Sequence, residues 1–439
     1  MEKNIKKCLV IGGLTVVFWL ISLCISGIVG ERTEMSEKAQ REISQSWSGS
    51  QDFVGPVLCV PVYSDTSQVP HACMFVLPER FDADVNVQSE TLHRGIFDAS
   101  VFRAGMDVSG SFNLKEMRPK SEASGKNRPV RYDWSHTQVI VSIGDKRGVE
   151  EGMKFTVGDK QVELNKHLTD YGNSKLVSVL NRIDQDEVCQ VVDLSGMIGS
   201  EVPFTLKTEL KGSEELNVAP VGQQSQVTMH GNSTDPSFCG ILLPSSREVT
   251  DTGFSATWKV NSLNRNDMDQ VFYSTDYSSA FQTVGAKLLV IGGQYTQTDR
   301  ALKYAFLVIL LSLAAVFVGE MSVKSEINLL NYLLIGAALV LFYLMLLSFG
   351  EWMGFSMAYG LSALLIIGMI TVYLKAIVGK ANTALAVCLF MTLIDVFIYV
   401  LLGIADMALL VGTLGLFFIL GVAMFFSLRI TAAGEKKKE

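Results

Sequence analysis

Charged side chains are scarce in this sequence, and long stretches lack them altogether. Asp, Glu, Lys and Arg make up only 18% of the 439 residues, and the mean hydropathy is +0.30. A soluble protein of this length rarely has such a composition. The apolar residues gather before residue 31 and after residue 303, whereas the middle of the chain has the mixed composition of a water-soluble domain.

Signatures of catalysis and cofactor binding are missing as well. The sequence has no Gly-x-Ser-x-Gly nucleophile elbow and no phosphate-binding Gly-x-x-x-x-Gly-Lys-Ser/Thr loop. No two histidines have the i, i+4 spacing that places two imidazoles on one helix face for zinc. We therefore expect no cofactor, no metal site and no enzymatic activity, and a metal site assembled only in three dimensions stays open as an alternative. The histidines are His71, His93, His136, His167 and His230.

The charge of the middle region argues against nucleic acid as a partner. Residues 31–299 contain 25 Lys and Arg against 36 Asp and Glu, a formal charge of −11. A domain of this charge is repelled by phosphate, and the same charge keeps it soluble.

Two uncharged runs separated by one acidic residue predict a membrane hairpin. Residues 327–350 and 352–374 contain no Asp, Glu, Lys or Arg. Each run exceeds the roughly 20 residues that cross a bilayer. The predicted break is Gly350-Glu351-Trp352.

Further apolar segments predict one N-terminal and five C-terminal transmembrane helices. The first segment, residues 8–30, exceeds the apolar region of about 7–15 residues in a cleaved signal peptide, so we expect a retained anchor. The others lie near residues 304–319, 328–349, 355–374, 381–402 and 407–428. The predicted order is an anchor (1–30), a soluble domain (31–299), a five-helix bundle (300–430) and a basic tail (431–439).

Loop charges predict the orientation. If the N-terminal lysines lie in the cytoplasm, alternate crossings bring the basic loops to the same side. The turns at 350–353 and 403–406, on the other side, contain no Lys or Arg. This positive-inside asymmetry predicts cytoplasmic termini and a periplasmic middle domain, if the cell has two membranes. The basic residues on the cytoplasmic side are Lys3, Lys6, Lys7, Lys324, Lys375, Lys380, Arg429, Lys436, Lys437 and Lys438.

The middle region shows the two-residue period of half-buried strands. Phe254, Ala256 and Trp258 alternate with polar residues, and turn signals such as Gly158-Asp159 separate the segments. We therefore predict a mainly antiparallel β domain, entered by a helical continuation of the first span through residues 31–46. The strand-like segments are 54–63, 71–77, 95–108, 137–143, 153–164, 202–206, 216–229 and 254–260.

Four cysteines fall in the predicted periplasmic domain, an oxidising compartment. They are Cys59, Cys73, Cys189 and Cys239. One or two disulfides are one interpretation, with Cys59 and Cys73 closing the shortest loop. Four buried thiols are the other, because cysteine packs as a small apolar residue.

Several acidic residues lie in or beside the predicted C-terminal spans, where an ionisable group is costly and tends to face water or a partner. Glu320, Glu351 and Asp406 lie at span ends, and we interpret them as interfacial. Asp395 is fourteen residues into its span, near the middle of the bilayer. Its carboxyl group either accepts hydrogen bonds from tyrosines or stays protonated, and it is the candidate for a proton or ion relay. The tyrosines considered as donors are Tyr343, Tyr373 and Tyr399.

Several sequence blocks, in order along nearly the whole chain, resemble the CreD family of bacterial inner-membrane proteins, linked to cell-envelope integrity and colicin tolerance. Residues 333–359 resemble the family's signature, although the usual histidine after the hairpin glutamate is Trp352 here. The acidic pair in the last outer turn is reduced to Asp406. Other matching blocks include Arg41, Trp47, Gln51, Gly55-Pro56, Leu77-Pro78, Arg94-Gly95-Ile96, Pro236 to Gly240, Gly253 to Trp258, Arg300 and Lys303-Tyr304.

The resemblance implies a stress- or regulator-linked inner-membrane protein that supports envelope integrity and has no established catalytic activity. We predict a non-enzymatic protein whose β domain binds, senses or braces an envelope protein or a cell-wall component. The alternative is a transport or channel component that uses the helical bundle. A membrane-bound enzyme acting on lipid-linked envelope precursors is a third reading. The candidate functional residues are Glu320, Glu351, Asp395 and Asp406 in the membrane region and Gly55, Pro56, Arg94 and Gly95 in the β domain.

Overall fold

The chain folds into two compact units. The helical unit contains Met1–Glu37 and Gly292–Glu439, and the β unit contains Lys38–Ile291. The computed structural model describes residues 2–64, 72–95, 97–115, 130–165, 186–264, 271–273, 281–288, 293–323 and 327–403, together with residues 410, 412, 413 and 417.

A long helix, α1 (Glu2–Trp47), begins in the helical unit and ends in the β unit. Its uncharged part and the charged part after residue 30 form one continuous helix, as the sequence predicts, because no proline interrupts them. Ser48-Gly49 then leads into the first strand.

The remaining described helices belong to the helical unit. They are α2 (Gly293–Lys303), α3 (Ala305–Val323), α4 (Leu329–Met353), α5 (Phe355–Val378) and α6 (Ala381–Gly403). Within the described residues, five helices, α1 and α3 to α6, are long and apolar enough to cross a membrane. Four of them match the predicted C-terminal spans in position. The predicted last span, 407–428, and Asp406 lie outside the described residues apart from a few isolated positions.

The hairpin of α4 and α5 turns later than the sequence predicts. Gly350, Glu351 and Trp352 are still helical, since α4 ends at Met353. The turn is made by Gly354, whose φ of +77° is a conformation that glycine adopts without a Cβ clash. The predicted break at 350–352 is therefore about one turn too early, because a polar residue at the end of a helix does not itself interrupt the helix.

The β unit consists of two sheets. The strands described are β1 (Gln51–Ser64), β2 (Ala72–Val76), β3 (Arg80–Arg94), β4 (Phe97–Asn113), β5 (Val130–Tyr132), β6 (Thr137–Ile143), β7 (Met153–Val157), β8 (Lys160–Leu164), β9 (Asp186–Val192), β10 (Glu201–Ser213), β11 (Glu215–Val218), β12 (Gln224–Gly231), β13 (Ser237–Gly240), β14 (Ser246–Thr250), β15 (Gly253–Asn261), β16 (Val271–Tyr273) and β17 (Val284–Lys287). Among them, eight form a sheet in the order β14-β15-β12-β3-β4-β10-β7-β8. The other nine form a sheet built on β13-β17-β11-β1-β2-β16, with β5 and β6 paired to β1 and β9 paired to β6.

Both sheets are mixed. β1 is parallel to β11 and β3 is parallel to β12, whereas the other described pairs are antiparallel. The two-residue period of a strand is the same in both kinds of pairing, so the predicted alternation gave no sign of the parallel neighbours.

Strand β3 is absent from the sequence prediction, which began a strand only at residue 95. Phe81, Val85 and Val87 are buried and alternate with exposed polar residues along the strand. The polar residues include aspartate and asparagine, which are depleted in strands and hid the alternation. β3 pairs with β4 along its whole length, from Arg80 opposite Ser111 to Arg94 opposite Phe97.

The two sheets share one hydrophobic core. Phe81 of the eight-stranded sheet and Leu58 of the nine-stranded sheet belong to the same buried cluster. Trp258 is fully buried there, and its indole N–H donates to the Leu242 carbonyl at 3.1 Å. The other face of the eight-stranded sheet, called the polar face below, carries the exposed residues that alternate with the core positions of β3, β4 and β10.

Candidate functional site

Glu320, near the end of α3, is a buried carboxylate with both oxygen atoms bonded. Its Oε1 contacts Lys7 Nζ and accepts the Ile327 N–H at 3.0 Å. Its Oε2 accepts the Tyr332 hydroxyl at 2.7 Å, and Lys7 also donates to the Ile327 carbonyl at 2.7 Å. These four residues, the Glu320 cluster, connect the start of α1 to α3 and α4, so Glu320 has a structural role in this arrangement.

Glu351, near the end of α4, has a second basic partner from α1. Arg32 Nε lies 3.6 Å from Glu351 Oε1, and the Tyr295 hydroxyl donates to the same oxygen at 3.3 Å. Burial, and then the negative charge of Glu351, raises the pKa of Tyr295 to about 12, so this hydroxyl stays a neutral donor at physiological pH. Arg32, Tyr295 and Glu351 form the Glu351 cluster.

The two clusters flank the uncharged part of α1. Lys7 and Arg32 are 25 residues apart, a distance of about 37 Å along an α-helix. The hydrocarbon core of a bilayer is roughly 30 Å thick. This spacing suits the interfacial positions predicted for Glu320 and Glu351. The side chain of Trp352, beside Glu351, is 81% exposed, as expected for a tryptophan at a membrane interface.

Asp395, in α6, has a different environment. Among the described residues, no group donates to its carboxylate, and the Tyr359 hydroxyl donates instead to the backbone carbonyl of Asp395 at 3.0 Å. Tyr373, one of the expected partners, donates to Asn331 Oδ1 at 3.1 Å. Tyrosine bonds to the carboxylate, one of the two interpretations of the sequence, are not formed within the described part of the chain, because α5 brings Tyr359 to the backbone of α6 and not to the acidic side chain.

A cavity of about 450 Å³ lies between α5 and α6, and Asp395 forms part of its wall. The Tyr359 ring, also in the wall, packs against Phe342 and Tyr399 with ring centroids 5.4 Å away in each case. Most of the lining is apolar, which is typical of small-molecule sites with a few fixed polar groups. The lining residues are Ser356, Tyr359, Gly360, Ala363, Leu364, Ile367, Gly368, Cys388, Thr392, Asp395, Val396 and Tyr399.

Gly55 and Pro56 lie inside β1, where this strand changes partners. β1 pairs with β11 before these residues and with β2 after them, and its register with β6 shifts between Val54 and Val57. Gly55 has a φ of +118°, and a Cβ there would lie 2.8 Å from the Ile140 carbonyl oxygen. The close approach of two strands at a bulge thus accounts for the glycine.

Gly95 forms the turn between β3 and β4. Its φ is +67°, and Arg94 pairs with Phe97 across the turn. A tight hairpin requires such a residue, so the local geometry accounts for Gly95. The structure thus separates the candidate residues: Gly55, Pro56 and Gly95 shape the β unit, while Glu320, Glu351 and Asp395 lie in the helical unit.

The polar face carries shallow depressions that sequence analysis did not foresee. One of about 490 Å³ lies over β3, β4, β10 and β12. Asp84 and Asp107 are directly opposite each other there, and they pair with His230 at 3.3 Å and Lys207 at 3.0 Å. The two carboxylates are 65% and 64% exposed, so they are available to a polar partner.

The four cysteines of the β unit are present as thiols. Cys59, Cys73 and Cys189 share one small buried cluster, where burial and the adjacent Cys73 raise the pKa of Cys59. Cys239 lies apart, and its thiol donates to Glu215 Oε1 at 3.3 Å. Burial, and then Glu215, raises the pKa of Cys239 to about 12. Protonated thiols of this kind are poor nucleophiles.

Within the described ranges, no three His, Cys, Asp or Glu side chains come together as metal ligands. His93 and His136 pair with Asp98 and Asp133 at the surface, at 2.7 Å and 3.0 Å. His71 and His167 lie outside the described residues.

Apolar helices of spanning length, in the same chain as a large mixed-sheet domain, define a multi-pass membrane protein. A family model described as Inner membrane protein CreD matches residues 3–432, so the chain belongs to the CreD family. It is 28% identical over 431 residues to the inner membrane protein CreD of Escherichia coli (strain K12). The aligned region covers 95% of this chain and 91% of that protein. The resemblance found in the sequence blocks is confirmed, and the chain is an inner-membrane protein whose apolar helices contact the lipid bilayer.

Proposed function

We propose that this chain is a non-enzymatic inner-membrane protein that supports cell-envelope integrity under stress. Its β unit lies in the periplasm and both termini lie in the cytoplasm, an orientation supported by the basic residues gathered in the loops on one side. The β unit binds, senses or braces a polar component of the envelope, either a protein or a cell-wall component.

The main observation that supports this proposal is the polar face of the β unit. Asp82, Asp84, Asp107 and Lys207 project from neighbouring strands around one depression. Carboxylates, hydroxyls and an ammonium group in such rows offer both hydrogen-bond donors and acceptors to a polar partner. Their exposure favours binding over catalysis, which is why the enzyme reading is the weakest of the three.

Complementation of a deletion strain tests the proposal. We expect the strain to be sensitive to envelope stress and to be rescued by the full chain, but not by the double variant Asp84→Lys, Asp107→Lys. The control variant Asp235→Lys changes an exposed acid in a loop and should rescue fully. Membrane fractions must contain equal amounts of each variant. A deletion strain as resistant as its parent would refute the envelope role.

Transport is the second candidate, and the cavity beside Asp395 favours it. If the bundle moves an ion or a small molecule, Asp395→Asn should abolish rescue while leaving the β unit intact. Full rescue by Asp395→Asn would remove this candidate and leave the first one standing.

A further inference from the structure

The cavity between α5 and α6 has a chemistry that the envelope role does not use. Its volume of about 450 Å³ falls within the range of pockets that hold small organic molecules. One wall is formed by small residues of α5, Gly360 and Gly368 among them, and the facing wall carries the Asp395 carboxylate. The small residues leave room for a ligand, since a Cβ added to Gly360 would meet no atom within 4 Å.

Among the described residues, the Asp395 carboxylate has no partner of opposite charge. None of the residues that line the cavity is Lys, Arg or His, and within the described part of the chain no group donates to Asp395 Oδ1 or Oδ2. An acidic group at membrane depth is costly unless it is protonated or meets a donor. A ligand that carries its own ammonium group supplies the donor that the described residues do not.

Exposed apolar side chains form part of the cavity lining. Leu364 and Val396 are 70% and 56% exposed on α5 and α6, and in a membrane such side chains face lipid. A ligand that passes them must be soluble in the bilayer. Tyr359 and Tyr399 add two aromatic rings to the wall, and aromatic faces attract organic cations.

We propose that this cavity binds a lipophilic primary amine. Its protonated ammonium group donates hydrogen bonds to the Asp395 carboxylate, and its apolar body packs against the α5 wall beside Gly360. This proposal concerns binding only, so its test does not depend on the envelope role or on transport.

Fluorescence titration of the full chain in phosphatidylcholine nanodiscs tests the site. The probe is dansylcadaverine, a primary amine on an apolar fluorophore, and its N-acetyl derivative is the uncharged control ligand. We expect the amine to bind at least about tenfold more tightly than the acetylated compound, since an ion pair in a water-poor cavity is worth 1.4 kcal/mol or more. In Asp395→Asn this preference should vanish, with binding of the acetylated compound unchanged.

A cavity-filling variant gives a second, independent test. Gly360→Leu should weaken the binding of both compounds, because it occupies the space of the ligand. The matched control is Gly13→Leu, a change at an equally open position on α1 that does not line the cavity. Equal binding of both compounds to the original chain, or the same preference in Asp395→Asn, would overturn the proposal and leave the cavity to lipid acyl chains.

Discussion

Burial, and then the neighbouring Glu215 carboxylate, suppress the ionisation of the Cys239 thiol. With a pKa of about 12, only about one such thiol in a thousand is ionised at pH 9, where an ordinary cysteine is mostly thiolate. We expect iodoacetamide to label Cys239 slowly at pH 9 and faster only as the pH approaches 12. Glu215→Gln removes the nearby negative charge, which lowers the pKa and should raise the rate at pH 9. Peptide mass spectrometry after timed labelling measures this rate.

The control for the thiol experiment is Glu248→Gln, which neutralises an exposed carboxylate on β14. In this variant, iodoacetamide should label Cys239 at the same rate as in the original chain. Rapid labelling of the original chain at pH 8 would contradict the raised pKa.

The Glu320 cluster gives a prediction about stability. The Lys7 and Glu320 side chains are only 24% and 9% exposed, so loss of either leaves a partly buried charge without its partner. We expect Lys7→Met or Glu320→Gln to lower the free energy of unfolding by about 3 kcal/mol. The double variant should cost less than the sum of the two, because it leaves neither charge behind. Thermal unfolding in detergent measures these differences.

A surface pair serves as the matched control for this cycle. Lys303 and Asp299 lie 2.9 Å apart with 69% and 37% exposed side chains, and Lys303→Met should cost less than about 1 kcal/mol. An equally small effect of Lys7→Met would show that the Glu320 cluster is not a structural anchor.

The positions of the acidic residues in the helical unit could be predicted from the sequence, but their partners could not. The absence of charge around Glu320 and Glu351 was enough to place them near span ends. Their partners were not predictable, because Lys7 is 313 positions away from Glu320 and only the folded bundle brings the two together. Asp395 also stood out as a charged residue within an uncharged run. The cavity beside it was not predictable, because it depends on how small residues of α5 pack against α6, which one sequence does not indicate.

At the scale of elements, an aspartate binds the backbone just after the C-terminal end of α1. Asp145, just after β6, accepts the Gly49 N–H at 3.0 Å and the Arg147 Nε–H at 2.9 Å. The hydrogen bonds from Arg147, above all, lower the pKa of Asp145. We expect Asp145→Asn to destabilise the protein by about 1–2 kcal/mol at pH 7.

The pH dependence of this effect has a definite sign. A depressed pKa in the folded state stabilises the fold fully above the unfolded value, near pH 4. That contribution shrinks as the pH falls below 4 toward the folded-state pKa of Asp145. The stability gap between the original chain and Asp145→Asn should therefore be constant from pH 5 to 8 and narrow below pH 4. Urea unfolding at several pH values measures the gap, and a gap that widens in acid would refute this account.

The helices and strands differ in how well they can be predicted from their sequences. The membrane helices were predictable from run length alone, because a bilayer demands about 20 apolar residues whatever the neighbours are. The strand β3 was not, because its partners β4 and β12 stabilise a stretch whose aspartates disfavour a strand in isolation. Its polar residues form part of the polar face, so the missed strand also concealed the proposed binding surface.

At the scale of the whole molecule, the orientation in the membrane decides which compartment the polar face meets. Our proposal requires the β unit and the basic loops to lie on opposite sides. In a background with Cys8, Cys24 and Cys239 replaced by serine, a cysteine introduced by Ser246→Cys on exposed β14 should react with a membrane-impermeant maleimide in intact cells. A cysteine introduced by Lys380→Cys, between α5 and α6, should react only after lysis.

The two reporters control for each other, because both positions are exposed and differ only in the predicted side. Reaction of the Lys380→Cys variant in intact cells, with protection of Ser246→Cys, would invert the topology. The polar face would then meet the cytoplasm, and an envelope component could not be its partner. Amine binding beside Asp395 would survive that result, because its ligand enters from the bilayer and is indifferent to which end of the bundle faces out. The orientation experiment therefore separates the two proposals, because an inverted topology would refute the envelope role and would not affect amine binding beside Asp395.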